Sequence, residues 1–144
     1  MKYHGQATGS YKGVGQHMKY EGGCFCGKVR YAFDAEDIPC ADCHCTLCRR
    51  TSGALYVSWL VVPADAFSYT AGSPKQLQSS RDGTRYFCGD CGTHVACTNK
   101  THPEIVDITL GSMDRPEAFT PTITVFEDTR LPYVMTHALS EKDS

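Results

Sequence analysis

The sequence predicts a mainly β domain, and three observations carry that prediction. Short stretches rich in β-branched and aromatic residues follow one another between turn residues, no segment sustains a helical period, and paired cysteines adjoin two of the strand patterns. With 144 residues, 41% hydrophobic and 21% charged, the chain suits one domain with its own core and is short for two.

Residues 1–17 are polar and glycine-rich and lack the apolar stretch of a secretory signal. They read as a disordered N-terminal extension ahead of a second start at Met18-Lys19-Tyr20, and His4 and His17 read as tail residues rather than ligands. Lys28 to Phe33 alternates, with Val29, Tyr31 and Phe33 on one face. Leu55 to Val62 reads as a more buried strand, with Trp59 as core, followed by a turn or a single helical turn at Pro63-Ala64-Asp65-Ala66 and an extended Phe67 to Thr70. Lys75 to Ser80 and Thr84 to Phe87 suit a hairpin about Arg81-Asp82-Gly83. Thr93 to Thr98, Ile105 to Leu110 and Thr122 to Phe126 are further strands, and the polar residues 138–144 read as a flexible tail. The expected domain is therefore 18–137.

The formal net charge of -2 and the pI near 6.3 speak against electrostatic binding to nucleic acid or to an anionic membrane. No apolar run approaches the roughly 20 residues of a membrane span. A cytoplasmic monomer or homodimer is expected. Nine cysteines is an odd number and a high one for a reducing compartment, where such clusters bind metal or do chemistry more often than they form disulfides.

Cys24-Phe25-Cys26-Gly27 and Cys88-Gly89-Asp90-Cys91-Gly92 make one group. In each pair a glycine follows the second cysteine, which suits a tight knuckle whose backbone N–H groups point at sulfur. Two knuckles beside strands can meet and offer four thiolates, the closed structural form of a zinc site; a Cys-x-Cys pair, in contrast, makes an awkward disulfide.

Cys43-His44-Cys45-Thr46-Leu47-Cys48 makes a second group. In an extended segment Cys43 and Cys45 project to one side and His44 to the other, as an outer or surface group, and Cys48 closes on the same centre after a two-residue turn. Three sulfurs with an exchangeable fourth position is the pattern of a reactive zinc. Cys40 and Cys97 compete for that fourth position, as do His44 and His94 in principle. Arg49 and Arg50 follow the third cysteine, and Arg49 is a candidate anion contact for a substrate carboxylate.

These motifs stand in order as Gly22-Gly23-Cys24-Phe25-Cys26-Gly27-Lys28, Cys43-His44-Cys45-Thr46-Leu47-Cys48-Arg49-Arg50, and Tyr86-Phe87-Cys88-Gly89-Asp90-Cys91-Gly92, with Gly111-Ser112-Met113-Asp114 and Phe119-Thr120-Pro121 behind them. From about residue 18 to 134 the chain resembles the glutathione-dependent formaldehyde-activating enzyme family, also called the centromere-protein-V type domain. The resemblance implies a "β-tent" of short antiparallel sheets pinned by zinc knuckles. It implies a structural zinc on Cys24, Cys26, Cys88 and Cys91 and a second zinc on Cys43, Cys45 and Cys48, so two Zn²⁺ per chain. It further implies a carbon–sulfur lyase activity that interconverts S-(hydroxymethyl)glutathione with glutathione and formaldehyde, with a thiol such as glutathione as partner at the second zinc. The alternative is a non-catalytic module with two structural zincs. Cys40 divides the two: as a fourth ligand it would close the second site.

Overall fold

Ten strands, one short helix and four single 3-10 turns account for the regular structure of residues 18–136, the part of the chain that this computed structural model describes. The strands are β1 (Met18–Gly23), β2 (Arg30–Ala35), β3 (Cys40–Cys43), β4 (Val57–Pro63), β5 (Phe67–Ala71), β6 (Lys75–Gln78), β7 (Gly83–Phe87), β8 (His94–Asn99), β9 (Ile105–Thr109) and β10 (Ile123–Val125), with helix α1 (Thr46–Ser52). The expected tails at 1–17 and 138–144, with His4 and His17, lie outside the described residues.

The fold is mainly β, as the strand patterns predict. A three-stranded sheet runs in the order β1-β2-β5 and a seven-stranded sheet in the order β10-β3-β4-β9-β8-β7-β6. The expected hairpin forms as β6–β7, from Lys75 opposite Phe87 to Gln78 opposite Thr84. Pairing is antiparallel except at one edge, where β10 lies parallel to β3. That pairing closes over a long stretch of chain, as parallel neighbours require.

Alternation along the seven-stranded sheet sorts its residues onto two faces. One face carries Cys40, Leu60, Val62, Ala96, Val106 and Ile108, which form the main core with Tyr31 and Phe33 of the smaller sheet. The other carries Cys43, Val57 and Trp59, and there Cys48 of α1 closes a second, smaller cluster. The two faces thus receive different chemistry from the same strands.

A bulge between β7 and β8 bears directly on this division. Tyr86 pairs with Ala96 but Phe87 pairs with His94, so Val95 is the extra residue. Val95 and Ala96 consequently both enter the main core, and His94 is turned to the face of Trp59, whose ring it meets edge-on at 5.3 Å.

The segment Gly111-Ser112-Met113-Asp114 clamps β2 to the larger sheet. The fully buried Tyr31 hydroxyl lies 2.8 Å from Ser112 Oγ, which donates to the Thr109 carbonyl, and the Arg30 guanidinium pairs with Asp114 at 2.9 Å. Gly22 bridges to Met113 here, and a Cβ on it would meet the Tyr31 hydroxyl and stand 2.6 Å from the Ser112 carbonyl. Only glycine allows that approach.

Candidate metal centres

The first cysteine group sits where two β-turns meet. Cys24 and Cys26 occupy the connection from β1 to β2, and Cys88 and Cys91 the connection from β7 to β8. The two turns are built alike. Cys24 N donates to the Val29 carbonyl at 2.9 Å and Cys88 N to that of Thr93 at 3.0 Å, closing each loop. The Val29 N–H donates to Cys24 Sγ at 3.2 Å and the Asp90 N–H to Cys88 Sγ at 3.4 Å, so backbone dipoles support negative sulfur. Gly27 and Gly92 hold φ of 81° and 82°, the left-handed region that the tight exits demand. An exposed ion pair, Lys28 Nζ to Asp90 Oδ2 at 2.9 Å, bridges the turns.

All four sulfurs lie within 4.8 Å of one another. Cys24 Sγ is 3.6 Å from Cys26 Sγ, which is 3.7 Å from Cys88 Sγ. A tetrahedron with ligands about 2.3 Å from its centre has edges of about 3.8 Å, whereas a disulfide would bring sulfurs to about 2.05 Å. All nine cysteines are free thiols. The donor set and its spacing suit a four-coordinate metal ion.

The second group gathers Cys43, Cys45 and Cys48, again within 4.8 Å, with 3.5 Å between the sulfurs of Cys43 and Cys48. Cys43 ends β3 and faces the second cluster. Cys45 is the N-cap of α1, its sulfur accepting from the Cys48 N–H at 3.2 Å. The expected two-residue turn is therefore the first turn of a helix, which ends at Gly53 with φ of 73°. His44 is not a surface group: it is 1% exposed, stacked on Tyr56 at 5.0 Å between ring centres, with no hydrogen-bond partner on either ring nitrogen.

Cys40 belongs elsewhere. Three residues before Cys43 on the same strand, it points to the opposite face and is buried in the main core. Cys97 packs against the second cluster but is not one of its gathered sulfurs. Burial pushes both thiols up to about 11, which keeps them protonated at neutral pH. The close contact with Cys43 holds Cys48 down at about 5 and Cys43 up, because two adjacent sulfurs retain one proton between them; burial opposes the drop at Cys48, and Cys45 and Arg85 assist it. Arg49 donates from Nη1 to the Thr129 carbonyl at 3.1 Å, so its guanidinium is tied to the loop after β10.

The family model described as "Glutathione-dependent formaldehyde-activating enzyme" matches residues 19–129, a span that contains both cysteine groups and nearly all of the described fold. The chain belongs to this family. Two curated relatives, from Penicillium rubens and Podospora anserina, each bear the name "Putative glutathione-dependent formaldehyde-activating enzyme". They are 41% and 39% identical to the chain over 64 residues, 42% of its length. The matched segment is 34% of the first relative and 30% of the second, so the chain spans about a third of their length. A crystal structure of a Rhodobacter sphaeroides protein shares the fold, with a TM-score of 0.58 at 18% identity over 72% of this chain and 97% of that one.

Within this family member, two groups at the second site give no signal in the sequence. Arg85 reads as one polar residue of an alternating strand, yet it is 6% exposed with its guanidinium against Cys48. Asp107 sits on β9 opposite Cys97, and burial, then the nearby Cys48, pushes its carboxyl up to about 6. Only strand register brings these residues to the cysteines.

His94 makes a testable contribution to stability. Burial, then the Arg85 charge, lowers its pKa from 6.5 to about 4, so the folded chain keeps the ring neutral. The unfolded chain takes up this proton first as pH falls. The stabilisation is therefore complete above pH 6.5 and lost as pH falls towards about 4. At about 1.4 kcal/mol per pH unit its upper bound is about 3 kcal/mol. His94→Phe keeps a ring against Trp59 and removes the titration. Denaturant melts from pH 7 to 4.5 should show a shallower loss of stability in the variant, and parallel losses would refute the assignment.

Proposed function

We propose that the protein is a zinc-dependent, carbon–sulfur lyase-like member of its family, handling adducts of glutathione or a similar thiol with formaldehyde or another small aldehyde. The closed cluster on Cys24, Cys26, Cys88 and Cys91 holds a structural zinc, and Cys43, Cys45 and Cys48 hold a second, reactive one. The observation that carries this reading is the incomplete donor set at the second site: three sulfurs converge, and among the described residues no fourth Cys, His, Asp or Glu donor joins them. Cys40, the residue whose participation would close the site, faces the main core instead.

Zinc held by Cys43, Cys45 and Cys48 would favour the thiolate form of an incoming thiol at neutral pH. The chain's own contributions are three sulfur donors on a strand end and helix turn, all anionic once a metal displaces the shared proton, and a buried wall of Val57 and Trp59 on one side. In the reaction, the thiolate sulfur bonds to the aldehyde carbon, and the carbonyl electron pair moves to oxygen and takes a proton from solvent. The product is the S-(hydroxymethyl) adduct, and the reverse sequence releases thiol and aldehyde. Arg49, in the last turn of α1, is a positive group for a substrate carboxylate.

Zinc content by native mass spectrometry, combined with a calorimetric glutathione titration of the full chain, tests this. Two zincs and saturable thiol binding are expected. Two zincs with no response to glutathione or to a small thiol would instead favour the purely structural module.

A further inference from the structure

The strand register lays a polar row across the cysteine-bearing face of the larger sheet. Arg85 on β7 pairs with Cys97 on β8, which pairs with Asp107 on β9, between the apolar flanks Leu77 and Val61. Arg85 is held at three points. Its Nε donates to Ser79 Oγ at 2.9 Å, its central carbon lies 6.0 Å from the Trp59 ring centre, and its two terminal nitrogens straddle Cys48 Sγ at 3.7 and 3.8 Å. Among the described residues no carboxylate forms an ion pair with it. A guanidinium sealed from water requires an anion, and the anion within reach is the sulfur of Cys48.

Three thiolates on a divalent metal carry a single net negative charge, and a fourth thiolate would double it. In a partly desolvated site that second charge opposes binding unless a cation stands nearby. We propose that Arg85 is a specificity-determining residue which makes the open position of the three-cysteine site prefer an anionic sulfur ligand to a neutral one. It acts through Cys48 and does not itself touch the ligand. The inference rests on the reading that this site accepts a ligand from solution. Asp107, on the far side of Cys97, supplies the opposite sign and weakens the same preference.

The test uses the full chain loaded with Co²⁺, whose absorption reports on the ligands at each site. At pH 8 it is titrated with 2-mercaptoethanol, which binds as a thiolate, and with imidazole, which binds neutral. Both are small and uncharged in solution, so the ratio of their affinities isolates the charge preference. Arg85→Gln is expected to weaken thiol binding at least tenfold while imidazole affinity changes less than threefold. Arg85→Lys should restore most of the ratio, and Asp107→Asn should raise it above wild type. Equal losses for both ligands in Arg85→Gln would give the residue a merely structural role and overturn the proposal. If Arg85→Gln does not fold, the other two variants decide: a collapsed ratio in Arg85→Lys, or an unchanged or lowered one in Asp107→Asn, overturns it. A wild-type protein that responds to neither ligand refutes the open site itself and is distinguishable from these outcomes.

Discussion

Cys88→Ser is expected to abolish cooperative folding of the full chain. The cluster on Cys24, Cys26, Cys88 and Cys91 joins the β1–β2 turn of the smaller sheet to the β7–β8 turn of the larger one, so a metal held there fastens one sheet to the other. A structural zinc of this type contributes on the order of 10–16 kcal/mol, while a whole domain is typically stable by about 5–15 kcal/mol. The loss therefore exceeds what the remaining core can offset. Cys88 is the informative position because it is 2% exposed and its sulfur accepts the Asp90 N–H. A serine oxygen would sit buried among sulfurs with a poorer metal bond. The check is circular dichroism with a denaturant melt. A soluble variant that melts cooperatively within about 2 kcal/mol of wild type would show that the cluster is not structural.

Cys45→Ser should behave in the opposite way, keeping the fold and losing the chemistry. Cys45 is partly exposed, lies at the end of the sheet rather than between sheets, and contributes to the fold mainly as the N-cap of α1. A serine hydroxyl preserves that cap. The variant is expected to melt close to wild type, carry one zinc per chain and give no thiol response. Cys45→Ala should lose the same zinc and in addition melt lower by about 1 kcal/mol, the cost of the missing cap. The pair separates a local helix effect from metal loss. Retention of two zincs and of thiol binding in either variant would remove Cys45 from the site.

Much of this architecture was legible in the chain because its signals are local. The Cys-x-Cys-Gly and Cys-x-x-Cys-Gly turns announce themselves through spacing and through glycines whose φ is positive. The hairpin about Arg81-Asp82-Gly83 follows from the strand patterns on either side, but Gly83 opens β7 as an ordinary strand residue and does not supply the positive φ that its place in the turn suggests. β3 was not legible: four residues inside a cysteine motif give too short a pattern for period 2 to emerge. α1 was hidden for a related reason. Its seven residues bury only Cys48, so no apolar stripe marks it. The exclusion of Cys40 follows from strand parity once β3 is known, but the sequence alone leaves its phase open. Arg85, Asp107 and His94 depend on register across β7, β8 and β9 and on a bulge at Val95. Those are non-local facts that no stretch of sequence encodes by itself.

The proposed function requires that the two cysteine groups differ in kind, one closed and one open. Zinc X-ray absorption of the full chain, with and without saturating 2-mercaptoethanol, tests it most directly. A closed four-sulfur site and an open three-sulfur site should average about 3.5 sulfurs per zinc and rise to about 4 when thiol is added. A count that stays fixed on adding thiol, or a single zinc per chain, would show that the second site is not an open zinc site.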